Sequence, residues 1–119
     1  MSSLLADMMR EGNHSEVRRI IAQIDQYPDT LNARDEQGFT ALHYAALRGN
    51  EEITFRLLEA STDIHVKTET AQRTALHMAA LGKNKKIMQK IIELGANIHA
   101  KDIYNDTPLQ ISNRFLKKK

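Results

Sequence analysis

Residues 38–50 read GFTALHYAALRGN, and residues 74–84 read TALHMAALGKN. The two phrases stand 34 positions apart, so that Leu42, His43, Ala45 and Ala46 answer to Leu76, His77, Ala79 and Ala80. The match continues downstream. Ile53, Leu57 and Leu58 align with Ile87, Ile91 and Ile92, and Ile64, His65 and Lys67 with Ile98, His99 and Lys101. One residue is inserted in TETAQRT relative to DEQGFT, so the underlying period is 33. The phrase restarts at Asp102 and runs through Thr107-Pro108-Leu109. Upstream, Leu31–Asp35 matches Ile98–Asp102, Gly12-Asn13 matches Gly49-Asn50, and Ile20-Ile21 stands where Leu57-Leu58 stands. The linker QIDQYPDT is about four residues longer than its counterparts.

Self-similarity at such a period means one supersecondary unit written several times. Its chemistry is readable. Thr40, Thr74 and Thr107 each precede a short apolar run. A threonine hydroxyl there accepts from the N–H groups of the first turn and so starts a helix. Pro108 then falls at the first helical position, where its missing N–H costs nothing. The pairs Ala45-Ala46 and Ala79-Ala80 let a second helix approach closely, and Gly49 ends the first helix in a left-handed conformation. The second helix, roughly 51–59, carries Ile53, Leu57 and Leu58 at helical spacing. Neither helix buries its apolar face alone, and stacking of neighbouring units completes the core.

This text resembles the ankyrin repeat: Gly38, Thr40, Leu42, His43, Ala45, Ala46, Gly49, Leu57 and Leu58 all fall where that family's pattern has them, and Pro108 restores the proline that Ala41 and Ala75 replace. The resemblance covers essentially the whole chain. It implies an all-α solenoid of stacked helix-turn-helix units with short β-hairpin loops. The chain is then one domain over 1–119: an N-terminal capping repeat about 2–34, full repeats about 35–67 and 68–101, and a truncated C-terminal capping repeat at 102–119. It also implies that His43 ties Thr40, and His77 ties Thr74, to the neighbouring hairpin. The departures are Gln72 where glycine is expected, Gly82-Lys83 in reversed order at a helix end, and Gln110 and Ser112 in place of a histidine and an alanine. At the N-terminal end Leu4, Leu5, Met8 and Met9 form one face, with Asp7, Arg10 and Glu11 opposite, as a cap requires. At the other end either Phe115 and Leu116 seal the core, or further chain or a partner continues the stack. Three and a half units is near the minimum for a stack, so the last helix is expected to fray.

Composition sets the outer bounds. A chain of 119 residues makes one domain, and 41% apolar residues suffice for a core. Aromatics at 5%, with no tryptophan, argue against a sandwich or barrel. Seventeen Lys and Arg against 15 Asp and Glu leave +2, too little to imply a nucleic-acid or membrane partner. With no cysteine there is no disulfide framework, thiolate metal cluster or cysteine nucleophile. The opening MSSLLADMMREG makes a poor secretory signal. No apolar run approaches the ~20 residues of a membrane span. The compartment expected is the cytoplasm, with the nucleus, or a host cell for a bacterial effector, left open.

Candidate chemistry is sparse. His43 and His77 have no acid or serine beside them in a triad pattern, and a structural role is favoured. His65 and His99 hold equivalent slots in successive units, but stacked units lie roughly 8–10 Å apart, too far to share an ion. Asn32 holds the same slot in the first unit. The resemblance implies that Asn32, His65 and His99 are candidate substrates for asparaginyl hydroxylases. Lys83, Lys85, Lys86 and Lys90, with the KKK tail at 117–119, could attract phosphate, yet no aromatic interleaves to stack bases, and a solvated face is favoured. There is no phosphate loop and no nucleophile motif, so no catalysis, cofactor, metal or small-molecule substrate is expected.

What varies between units is the surface. The resemblance places binding on a concave groove made by the hairpin tips and the outer side of the first helices. Position by position, that groove presents Glu36, Gln37, Phe39, Leu47 and Arg48 from the second unit. The third adds Thr70, Arg73 and Leu81, and the fourth Ile103, Tyr104, Asp106 and Arg114, with Arg10 and Glu11 at the end of the first. Phe39 and Tyr104 are outside the framework and are two of only six aromatics. Large aromatics and arginines dominate binding hot spots. The function expected is a non-catalytic module, monomeric, holding one unidentified protein partner as adaptor, inhibitor or effector. The alternatives are binding of nucleic acid or an acidic surface through the lysines, and self-association through the ends of the stack.

Overall fold

The computed structural model describes residues 4–23, 26, 29–60 and 62–116, for 115 and 116 the backbone alone. The expected sealing by Phe115 and Leu116, the lysine tail at 117–119 and part of the long linker therefore lie outside the described residues. Among the described residues seven α-helices follow one another: α1 (Leu4–Glu11), α2 (His14–Ala22), α3 (Ala41–Arg48), α4 (Glu51–Glu59), α5 (Ala75–Leu81), α6 (Lys85–Glu93) and α7 (Pro108–Leu116). They form two layers. The inner helices pack in the order α1, α3, α5, α7, and the outer ones in the order α2, α4, α6. The molecule measures 44 × 26 × 25 Å, elongated along the stack. Among the described residues no helix is long and apolar enough to cross a membrane.

Each start signal acts as the residues dictate. Thr40 accepts from His43 N–H, and the His43 side chain accepts back from Thr40 N–H at 2.9 Å. Thr74 and His77 repeat this reciprocal cap, with 3.0 Å for the return bond. At α7 the cap survives without histidine: Gln110 Oε1 accepts from Thr107 N–H at 2.8 Å, and Thr107 Oγ1 from Gln110 N–H at 3.2 Å. The outer helices start on Asn13, Asn50 and Asn84, whose side-chain oxygens accept from the N–H three residues on. The alanines at 41, 45, 46, 75, 79 and 80 are buried, which lets the inner helices pack on one another and on the outer layer. Between the layers lie Leu42, Ile53, Leu57, Leu76, Ile87 and Ile91, each no more than 1% exposed. Full burial of one such side chain is worth ~1.5–3 kcal/mol. At the N-terminal end Leu5, Ala6 and Met9 are buried and Leu4 and Met8 pack partly against them, with Arg10 and Glu11 exposed.

The reversed helix end has a physical cause. Gly49 closes α3 with φ 72°, and after α5 the same left-handed turn is made by Lys83 with φ 61°. Gly82, at φ −77°, is not needed for its conformation. It is needed for space, because a Cβ there would lie 2.5 Å from the Leu47 carbonyl oxygen. The inner helices approach so closely at this end that glycine is held by the neighbouring unit, and lysine bears the backbone strain.

The loops are tight turns rather than strands. Each is closed by two backbone bonds: Asp35 N–H to Phe39 O at 2.8 Å with Gly38 N–H to Asp35 O at 3.0 Å, Thr68 N–H to Arg73 O at 2.9 Å with Gln72 N–H to Thr68 O at 3.0 Å, and Asp102 N–H to Asp106 O at 3.0 Å with Asn105 N–H to Asp102 O at 2.9 Å. No strand forms among the described residues, and the short hairpin loops expected from the resemblance take the form of these tight turns. One bond, Ile103 N–H to Ala71 O at 3.0 Å, joins successive loops. Gln72 (φ 55°) and Asn105 (φ 67°) take the left-handed position that Gly38 (φ 82°) holds in the first of the three turns.

Candidate interaction surface

The surface is built on the three turns, and each turn is organised by its first residue. Asp35 Oδ1 accepts from the N–H groups of Gln37 and Phe39, both at 3.0 Å. Asp102 Oδ1 does the same for Tyr104 at 2.9 Å and Asp106 at 3.0 Å. Thr68 performs the task in the longer middle turn with a hydroxyl, accepting from Arg73 N–H at 3.1 Å. All three residues are buried. A buried carboxylate needs a counter-charge, and here the preceding unit supplies it: Arg10 reaches Asp35 Oδ2 at 3.0 Å, and Arg73 reaches Asp102 Oδ2 at 3.1 Å. The neutral Thr68 needs none. Burial alone would raise both acids. The donated hydrogen bonds outweigh it, from Tyr44 and the backbone at Asp35 and from the backbone and Arg73 at Asp102, and both carboxyls sit below the usual range.

Phe39 belongs to this scaffold. Its ring stacks on Tyr44 at 4.9 Å between centroids and meets His43 edge-on at 5.7 Å. The Tyr44 hydroxyl donates to Asp35, and burial together with that carboxylate pushes the phenol up to about 12. Phe39 is half-buried against the core, a role the sequence did not reveal, because Tyr44 has no counterpart at Met78 or Ile111. Arg48 donates to the Arg10 carbonyl across the inner face. The signal that could have exposed the cluster was Tyr44 itself, a polar-tipped aromatic where the other units carry Met78 and Ile111.

Tyr104 is different. It is 65% exposed and Ile103 beside it is 54% exposed. The Arg73 guanidinium carbon lies 5.6 Å from the Tyr104 ring centroid. One arginine thus neutralises Asp102 below and supports an uncovered aromatic above. Of the remaining expected groove residues, Glu36, Gln37, Leu47, Arg48 and Thr70 are exposed. Leu81 packs partly against the core, and Arg114 is exposed and paired to Asp106 at 2.9 Å. Arg114, Asp106, Gln110 and Asn113 line a shallow polar depression of about 300 Å³.

The two threonine-bound histidines cross-link the units. Since His43 Nδ1 accepts from Thr40 N–H, the ring proton is on Nε2, which donates to Val66 O in the next loop at 3.0 Å. His77 Nε2 donates to Asp106 O at 2.9 Å. Burial drives the His43 pKa down to about 4 and lowers that of His77. Both rings are therefore neutral cross-braces at physiological pH. Asn32, His65 and His99 all lie exposed, and Asn32 Oδ1 accepts from Asp63 N–H of the following unit at 2.7 Å. His65 and His99 follow Asx turns, their N–H groups donating to Asp63 and Asn97 at 2.9 Å each. Lys83, Lys85, Lys86 and Lys90 are exposed on and beside α6.

A family model for ankyrin repeats, three copies, matches residues 4–102. The chain belongs to the ankyrin repeat family. Ankyrin repeats serve in general as protein–protein interaction modules. Two similar proteins are oxysterol-binding protein-related protein 1 of Rattus norvegicus and of Mus musculus, each 30% identical over 73 residues. That stretch is 61% of this chain and 8% of either relative, so the chain spans a small fraction of the proteins it matches.

Proposed function

We propose that this ankyrin domain binds a protein partner through the face formed by its turn tips and inner helices, with Ile103 and Tyr104 as the anchor. One observation carries the reading: an aromatic and an aliphatic side chain, more than half exposed, sit side by side on a turn that Asp102, Arg73 and Asp106 hold rigid. A scaffold fixed before binding lowers the ordering cost of association. Exposed large apolar groups on such a scaffold form the centre of an interface, with Arg48, Glu36 and Gln37 as its polar rim. Phe39 serves this face from beneath, by fixing the first turn. No catalytic step is proposed, and the role is that of an adaptor, inhibitor or effector.

The test is capture from native-cell lysate by the wild type and by Ile103→Ala/Tyr104→Ala in parallel. Both side chains are exposed, so the double variant keeps its fold, which circular dichroism verifies. A protein retained by the wild type and lost with the variant supports the face. The same proteins retained equally by both would overturn it.

A further inference from the structure

The repeat itself leaves a second apolar face open, on the far side of α6. By register Thr54, Leu58 and Ile64 answer to Met88, Ile92 and Ile98. The first three are 0%, 7% and 8% exposed, covered by the following unit. In the second set Ile92 and Ile98 are each 44% exposed, and Met88 is half-buried. Leu109 of α7 completes the contrast: Leu42 and Leu76, its counterparts, are each 1% exposed, and it is 60% exposed. An open groove of about 350 Å³ runs here, lined by Lys85, Met88, Gln89, Ile92, Glu93 and Ser112.

The polar groups of the groove state what fits. In the covered seat Asn84, at the start of α6, donates to Glu51 at the start of α4 at 3.1 Å, so the outer helices run parallel, N-terminus beside N-terminus. On α6 the residues equivalent to Glu51, Glu52 and Arg56 are Lys85, Lys86 and Lys90. These three lysines are exposed and make no ion pair among the described residues. Glu93 lies at the other end of the groove. Of the charged side chains that line the groove itself, Lys85 stands at one end and Glu93 at the other, with Lys90 outside the lining, so a helix entering in the same direction meets positive charge at its N-terminus and negative charge at its C-terminus. It needs acids in the first turn and a base in the last, which is also the arrangement the helix dipole favours.

We propose that this groove docks an amphipathic helix of a partner protein, acidic in its first turn, basic in its last, with apolar residues spaced like Ile87 and Ile91. A second copy of this chain does not meet that description. Two α6 faces would oppose lysine to lysine, and α2 exposes Ser15, Arg18 and Arg19 rather than an apolar stripe. This surface is distinct from the turn face, and either can fail without the other.

The probe is a hydrocarbon-stapled peptide of residues 50–60, NEEITFRLLEA, which carries the required pattern and is held helical because so short a helix is marginal alone. Isothermal titration of the wild type should show saturable one-to-one binding that weakens with salt. Ile92→Glu should lower the affinity at least ~10-fold, as should Lys85→Glu/Lys86→Glu, which removes no packing. A peptide with lysine at its two acidic first-turn positions should bind the wild type weakly and regain affinity for Lys85→Glu/Lys86→Glu. No saturable binding by the wild type, or an affinity unchanged from the wild type in the two variants, overturns the proposal. So does a wild-type dimer in sedimentation that Ile92→Glu dissociates, since the occupant would then be a second copy.

Discussion

Leu76 and Leu109 occupy the same place in consecutive units, yet one is 1% exposed and the other 60%. The same division separates His77, whose ring braces the next turn, from Gln110, which copies its cap and reaches no further turn among the described residues. The interior of the stack and its C-terminal unit thus follow one local code with different tertiary outcomes. The code makes helices: threonine caps, short apolar runs, left-handed ends. Stability comes from what lies on either side. In a repeat protein the energy of a unit is its own small term plus its interfaces, so the last unit has the weaker hold on its structure.

The comparison is broken most forcefully by truncation at the two leucines. Leu76→Ala should cost ~2–5 kcal/mol in urea unfolding, and Leu109→Ala less than ~0.5 kcal/mol. Equal costs would mean that α7 is packed as the interior helices are.

Acid probes the cross-braces. The folded His43 pKa is about 4, below the 6.5 of a free imidazole, so above pH 6.5 neither state is protonated and the contribution is complete. As pH falls from 6.5 toward 4 the unfolded chain takes a proton that the folded ring refuses, and stability drops by an amount on the order of 3 kcal/mol. His77, shifted the same way, adds to the slope. Asp35 and Asp102, both held below 3.8, extend the loss under more acidic conditions. Denaturant midpoints against pH measure this, and His43→Gln/His77→Gln should flatten the curve between pH 6.5 and 4.

At neutral pH the same exchange separates cap from brace. His43→Gln keeps the cap in the manner of Gln110 and loses the bond to Val66 O and the edge contact with Phe39, at a cost of ~1–2 kcal/mol. Gln110→His, with no further turn to brace among the described residues, should leave stability within ~0.5 kcal/mol of the wild type. The smallest effect is a gain: Lys83→Gly relieves the left-handed backbone at the end of α5 and should stabilise by ~0.5 kcal/mol, read from the thermal midpoint.

These contrasts mark what could be read in advance. The helices, their order, the threonine caps and the alanine-lined approach were legible because packing enforces the same residue types in every unit. Lys83 could be seen as an irregularity but not explained, since Gly82 is fixed by the Leu47 carbonyl of another unit. The Phe39, Tyr44, Asp35 and Arg10 cluster was hidden for a similar reason: it joins two units, and of its members Asp35 alone recurs, as Asp102. Tyr104 was visible as an aromatic outside the framework. Its support by Arg73 depends on the buried Asp102, whose partner periodicity alone does not give.

Native-state hydrogen exchange tests the central claim most directly, that equal local code is held by unequal interfaces. The amides of Tyr44, Met78 and Ile111 are equivalent, donating to the carbonyls of Thr40, Thr74 and Thr107. The account predicts that Ile111 exchanges through openings well below the free energy of global unfolding, while Met78 exchanges only with it. Equal protection at Met78 and Ile111 would contradict the account and show the C-terminal unit to be as firmly held as the interior.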